Sequence, residues 1–195
     1  RAGLEASLSA KTASSPDESM TALRRAAEAF GRAQVLEREL GEKRQSTAYR
    51  RGLVRRSLCQ WDGARQDLQQ AAKDPAFQAR AGLALGVLLL RVDADPLAAE
   101  QAFKQANAAA RLAADDKTHT TEAREEEQTA EQIARAYVKY LAGDEPVARR
   151  NLQDLVSGGA GGSMVAEACA ALAFFARREG DPMGGDDHVQ RGLLK

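Results

Sequence analysis

Cysteine is nearly missing from this chain, with Cys59 and Cys169 the only two in 195 residues. They share no metal-ligand spacing and lie far apart, which argues against a disulfide framework or a zinc site and leaves both as expected thiols. Net charge is missing too: 28 basic residues balance 28 acidic ones. No overall field therefore draws the molecule to nucleic acid or to an anionic membrane. Aromatics make up 5%, and none is interleaved with basic residues as base stacking requires. The longest apolar run, Ala81 to Leu90, is ten residues, half of the roughly 20 a membrane-spanning helix needs.

What remains is a composition that folds: 44% apolar and 29% charged, enough to bury roughly 70% of the unfolded surface at this length. A soluble protein is expected, placed in the cytoplasm with the periplasm as the alternative. The chain opens at Arg1 with neither an initiator Met nor a secretory leader, as a processed product or excised fragment does. Its Ala- and Arg-rich helices suggest a bacterial source with a GC-rich genome.

Order enters through repetition. A small residue, three others, a large apolar residue, two others and a further residue, usually small, recur as Ala26-x3-Phe30-x2-Ala33, Ala64-x3-Leu68-x2-Ala71 and Ala99-x3-Phe103-x2-Ala106. The phrase weakens to Ala148-x3-Leu152-x2-Leu155 and Gly185-x3-Val189-x2-Gly192, and successive copies lie 38, 35, 49 and 37 residues apart. A period of this size signals stacked helical hairpins, since one hairpin cannot bury its apolar face alone. Units are expected at roughly 1–43, 44–75, 76–115, 118–158 and 163–195, in a single domain with flexible loops near 112–120 and 157–163.

Punctuation agrees with the period. Second helices are expected to start at Ser15-Pro16, Asp95-Pro96, Asp144-Glu145-Pro146 and Asp181-Pro182, each an oxygen-bearing cap ahead of a proline in the first turn. Asp62 is expected to cap the remaining one. First helices are expected over 49–58, 77–92, 121–141 and 163–178. Gly52 and Gly86, 34 residues apart, fall where a missing side chain lets facing helices approach closely. About 15 extra residues between the third and fourth phrases read as a polar loop, Asp115 to His119, and a lengthened first helix.

This pattern resembles the tetratricopeptide repeat (TPR) family, most closely over Ser46 to Ala109, where Gln60-Trp61-Asp62-Gly63-Ala64 and Lys73-Asp74-Pro75 match the family's turn and terminal proline. The resemblance implies an all-α fold, a right-handed α–α superhelix of four to five hairpins. It implies a protein or peptide partner held in a concave groove lined by the first helices. Carried over unit by unit, the groove positions are Leu83, Val87 and Leu90, and Phe174, Arg177 and Arg178; in the unshifted register the second and fourth units add Tyr49, Leu53 and Arg56, and Ile133, Tyr137 and Tyr140. In the second unit Arg51 and Arg55 fall where apolar residues belong unless the helix is advanced by one residue, and the same one-residue alternative applies to the fourth. Tyrosine and arginine commonly anchor interfaces. The family's carboxylate-gripping Lys, Asn and Arg cluster is not matched at these positions.

A scaffold or adaptor without catalytic activity or cofactor is therefore expected, with homo-oligomerisation or docking inside a larger protein as the alternative. The basic run from Lys43-Arg44 through Arg55-Arg56 is read either as a site for acidic groups or as a face that partners Glu125-Glu126-Glu127. An enzymatic reading has only His119 and the Asp186-Asp187-His188 cluster to draw on, too few ligands for a metal site. The glycines from Gly158 to Gly162 lack the Gly-Lys-Ser/Thr ending of a phosphate loop.

Overall fold

The computed structural model describes residues 2–13, 15–40, 45–113, 121–158, 162–181 and 184–187. Among them there is no strand, and nine helices follow in order: α1 (Ala2–Lys11), α2 (Pro16–Glu39), α3 (Gln45–Ser57), α4 (Trp61–Ala71), α5 (Gln78–Arg91), α6 (Pro96–Ala113), α7 (Thr121–Leu141), α8 (Glu145–Ser157) and α9 (Gly162–Arg178). One further helical turn covers residues 184–187. The lengthened first helix is the 21-residue α7. Lys43, Arg44, the polar stretch 114–120 with His119, the glycines at 159 and 161, and the end from His188 onward lie outside the described residues.

Each helix packs on the next one in sequence. Substantial contacts between elements two apart join odd-numbered helices: α3 to α5, α5 to α7 and α7 to α9. The recurring phrase sits on the even-numbered helices and explains their pairing. Ala26, Ala64, Ala99 and Ala148 are fully buried, as are Leu68, Phe103 and Leu152. In α2, α4 and α6 the large residue of the phrase faces a glycine on the preceding helix. A Cβ on Gly52 would stand 3.0 Å from Leu68, one on Gly86 2.4 Å from Phe103, and one on Gly3 2.8 Å from Phe30. The expectation drawn from Gly52 and Gly86 therefore extends to a third glycine, in α1. Each large side chain fills the space that its glycine leaves open.

The turn after each of the four later odd-numbered helices is also shared. A single left-handed residue closes it: Cys59 (φ 57), Ala94 (φ 52), Gly143 (φ 83) and Gly180 (φ 84). The N–H of the following residue then reaches back to a helix carbonyl, Gln60 to Arg55, Asp144 to Lys139, Asp181 to Ala176 and, one residue longer, Asp95 to Leu89. This satisfies a carbonyl that the helix end leaves without a partner.

Helix starts follow the expected capping at three places. The Ser15 hydroxyl accepts from Glu18 N–H, Asp95 from Ala98 N–H and Asp181 from Gly184 N–H. Two expectations are corrected. Asp62 is not a cap, because α4 begins one residue earlier at Trp61 and the Asp62 carboxylate accepts from Arg65 instead. Asp144 does precede α8 but makes no capping bond, its carboxylate lying 3.6 Å from Lys139.

Apolar burial divides into three clusters. One joins Ala26, Phe30 and Val54; a second joins α3 and α4 to one side of α5 through Tyr49, Leu68, Ala81 and Leu85. The third and largest runs from the other side of α5 through α9, with Leu83, Val87, Phe103, Ile133, Tyr137, Leu152 and Phe175. Helix α5 thus serves two cores.

Two outcomes are expected in thermal or denaturant unfolding. Gly86→Ala loses about 1–3 kcal/mol by overpacking against Phe103, and Phe103→Leu added to it recovers part of the loss. Ala94→Gly and Cys59→Gly each gain roughly 0.5–1 kcal/mol, because a left-handed β-carbon costs more than glycine's extra chain entropy.

Candidate functional site

Helices α3, α5, α7 and α9 touch in series along one shared face, and the expected groove residues divide on it by depth. Leu83, Val87, Ile133 and Tyr137 belong to the largest core cluster, with Ile133 and Tyr137 essentially inaccessible. Tyr49 is buried in the second cluster beside Phe77, ring centroids 5.8 Å apart, with the Arg80 guanidinium over both rings. Leu53, Leu90, Tyr140 and Phe174 are half-buried and form the reachable apolar part. Arg177 turns away toward Asp186, 2.6 Å from it. It is Arg178 that lies over Phe174, at 6.0 Å, and burial raises the Tyr140 hydroxyl's pKa against the opposing charge of Arg178.

The polar groups of the face are engaged by one another. Arg56 of α3 donates through Nη2 to Glu167 Oε1 of α9 at 2.7 Å. Arg91, at the end of α5, donates through Nη2 to the Tyr137 hydroxyl at 3.1 Å and to the Ala170 carbonyl at 2.8 Å, and its guanidinium lies 4.9 Å from the Phe174 ring centre. Burial pushes the Tyr137 hydroxyl above its ordinary pKa against the pull of Arg91. Burial likewise pushes Tyr49 up to about 12, against Arg80 and Arg56. The tyrosines are therefore neutral hydrogen-bonding groups across the whole physiological range.

Glu167 and Arg91 were not singled out from the sequence. A signal for Arg91 was present: the 35 residues that separate Ala64 from Ala99 also separate Arg56 from Arg91. The same spacing puts Tyr49, Leu53 and Arg56 opposite Ala84, Leu88 and Arg91, one residue on from the expected Leu83, Val87 and Leu90. Glu167 has no repeat counterpart that would have marked it.

The basic run does not act as one patch. Arg51 is buried, its Nε donating to Asp67 Oδ2 at 2.8 Å and its Nη2 paired with Oδ1, while Arg55 Nη1 reaches Oδ2 at 2.9 Å. Asp67 itself is only 2% exposed. The acidic run is taken up elsewhere: Glu126 and Glu127 pair with Arg80. Glu127 also accepts from the Ala79 N–H at 3.0 Å, so a carboxylate of α7 occupies the N-terminus of α5. Burial raises the Glu127 pKa, with Arg80 and the backbone bonds opposing it.

No group of three or more His, Cys, Asp or Glu able to hold a metal occurs among the described residues, and no helix there is long and apolar enough to cross a membrane. Cys59 is exposed on the turn after α3, Cys169 is buried in α9, and they are not joined. A depression at the α1–α2 turn, lined by Ser9, Asp17, Glu18, Thr21 and Arg25 together with Ala13 and Ala22, is far from the shared face in sequence. Comparison with family models, with curated proteins and with solved structures found no match to this chain.

Two further outcomes are expected. Leu83→Asp or Val87→Asp places an unpaired charge in the core and removes roughly 4 kcal/mol or more of stability, seen as loss of the cooperative helical melt. For Glu127 the folded pKa exceeds the unfolded one, so the folded state takes up the proton first. Its contribution improves as pH falls through the window between the two values, and declines as pH rises through the folded value. The stability difference between wild type and Glu127→Gln should shift in favour of wild type on lowering pH through that window, while a pH-independent difference would show that Glu127 titrates normally.

Proposed function

We propose that the chain is a TPR-like α-solenoid scaffold, an adaptor without catalytic activity that holds a segment of a protein partner along the face shared by α3, α5, α7 and α9. One observation carries this reading: contacts between elements two apart fall on the odd-numbered helices. A curved stack of hairpins produces that pattern, its inner helices crowding together while its outer helices fan apart.

The chemistry of the face suits a peptide. Half-buried Leu53, Leu90, Tyr140 and Phe174 offer apolar contact, and Arg56, Arg91 and Arg178 edge it with donors for backbone carbonyls or acidic side chains. Binding fits better than catalysis, because the tyrosine hydroxyls are pushed up in pKa and Arg56 and Arg91 already hold structural partners. Affinity capture from the native host with wild type, Leu90→Asp and Arg178→Glu tests the reading. A partner held by wild type and weakened by about tenfold or more, near 1.4 kcal/mol, in variants that keep their helical melt is the expected result. A partner that ignores both substitutions binds elsewhere.

A second reading, assembly through the terminal hairpin, is favoured by its exposed apolar residues: Leu4 and Leu8 on α1, and Val35, Leu36 and Leu40 at the end of α2. Light scattering over a concentration range decides it. Concentration-dependent mass that Leu36→Asp abolishes supports assembly, and a monomer throughout removes it.

A further inference from the structure

Arg91 is a positioned cation that pairs with no carboxylate among the described residues. Its Nη2 donates to the Tyr137 hydroxyl and to the Ala170 carbonyl, and its guanidinium lies 4.9 Å from the Phe174 ring centre. All three partners are neutral, and burial holds the Tyr137 hydroxyl above its ordinary pKa, so no tyrosinate balances the charge. Both bonds use one nitrogen, which leaves the N–H groups of Nε and Nη1 on an exposed residue. The neighbouring carboxylates are engaged elsewhere. Asp93, two residues on, is held by Arg65 at 2.7 Å and 2.8 Å, and Asp95 accepts from the Ala98 N–H. Glu167 is held by Arg56 at 2.7 Å, while Glu145 and Glu179 both pair with Arg149. Arg178, 6.0 Å from the same Phe174 ring centre, also pairs with no described carboxylate. Two like charges thus meet beside one half-buried ring in a chain whose net charge is zero.

We propose that Arg91, Arg178 and Phe174 form the acid-reading part of the shared face, where a partner segment sets an aspartate or glutamate side chain next to an apolar residue. The carboxylate accepts from the remaining N–H groups of Arg91 and is attracted by Arg178, and its apolar neighbour lies against Leu90 and Phe174. The site rests on the reading that this face takes a partner, and it names the chemistry that the partner carries.

Hydrogen bonds between guanidinium and carboxylate are roughly twice as strong as neutral ones, and guanidinium gives up its water more readily than an ammonium does. An arginine already held by its own fold also loses little further side-chain freedom when a ligand arrives. Arg56 does not serve in this way, because Glu167 already accepts from it. Glu167 stands close enough to bear on the same Tyr137 hydroxyl as Arg91. Its charge disfavours a doubly charged phosphate beside Arg91 and leaves a single carboxylate as the better fit.

Selection from a random peptide library displayed on phage, with the full chain immobilised, tests the site. Displayed peptides have their carboxyl ends fused to the coat protein, so any carboxylate they offer is a side chain's. Peptides that wild type selects and Leu90→Asp does not hold are expected to carry Asp or Glu next to an apolar residue. In amidated synthetic copies, exchanging that Asp for Asn, or Glu for Gln, should weaken binding to wild type by about tenfold or more. On Arg91→Gln with its cooperative helical melt intact, the same exchange should change binding by less than about twofold. Where Arg91→Gln does not fold, Arg178→Gln, at an exposed position, makes the same test and should cut the acid preference by about threefold. Peptides that depend on Leu90 but show no acid preference, or one undiminished in the variant, overturn the site and leave the binding face in place. Peptides indifferent to Leu90→Asp, or a library that yields none, overturn the face and the site together.

Discussion

Close approach between the two helices of a hairpin is the constraint on which the rest of this structure depends. Phe30, Leu68 and Phe103 each enter where the preceding helix carries glycine, and a single methyl group at Gly86 would stand 2.4 Å from the Phe103 ring. Glycine in a helix interior sacrifices about 1 kcal/mol against alanine. Burial of a large side chain returns roughly 1.5–3 kcal/mol, so the exchange is favourable wherever the fit is tight. The fully buried alanines around these contacts, Ala26, Ala64, Ala71, Ala99 and Ala106, keep the axes near one another for the same reason. In α7 fully buried alanines also occur, Ala130, Ala134 and Ala136 among them, and there aromatic stacking supplies the filling: Phe103 on Tyr137 at 4.6 Å and Tyr140 on Phe175 at 3.9 Å.

Small residues bring helices together, and charged ones decide how they register. Asp67 is held by Arg51 and Arg55 within one hairpin, whereas Glu127 is held by Arg80 and the Ala79 N–H across two. Apolar contact is tolerant of sliding. A bidentate guanidinium–carboxylate pair in a buried setting is not, since displacement leaves each ion without water and without its mate. The polar interior therefore fixes the alignment that alanine-rich surfaces leave loose. The shared face continues this theme outward, from the buried Arg51 through the half-buried Arg56 to the exposed Arg91.

Much of this was legible beforehand. The recurring phrase located α4, α6 and α8, the glycines located close packing, and the extents of α5, α7 and α9 fall within a residue of those expected. Two kinds of feature were not. Arg51 and Arg55 looked misplaced on an inward side because their compensation, Asp67, sits 16 and 12 residues away on another helix, and helical periodicity reports which side a residue occupies but not what meets it there. The expected groove was legible as a face but not as a depth. Periodicity grouped Leu83, Val87, Ile133 and Tyr137 with Leu90 and Phe174, and only the packing of neighbouring helices separates the first four, inside the core, from the last two near its surface. A one-residue ambiguity in aligning units concealed Arg91 as the counterpart of Arg56.

The carboxylate that α7 lends to the start of α5 has a consequence for how the molecule forms. Nascent α5 emerges from synthesis before Glu127 exists, so its first turn waits, with Ala79 N–H turned to water, until nearly fifty more residues have been made and the next hairpin has docked. The third hairpin thus completes the hydrogen bonding of its first turn only with the fourth in place. In a partial chain that stops short of α7, the Ala79 N–H has water in place of the Glu127 carboxylate.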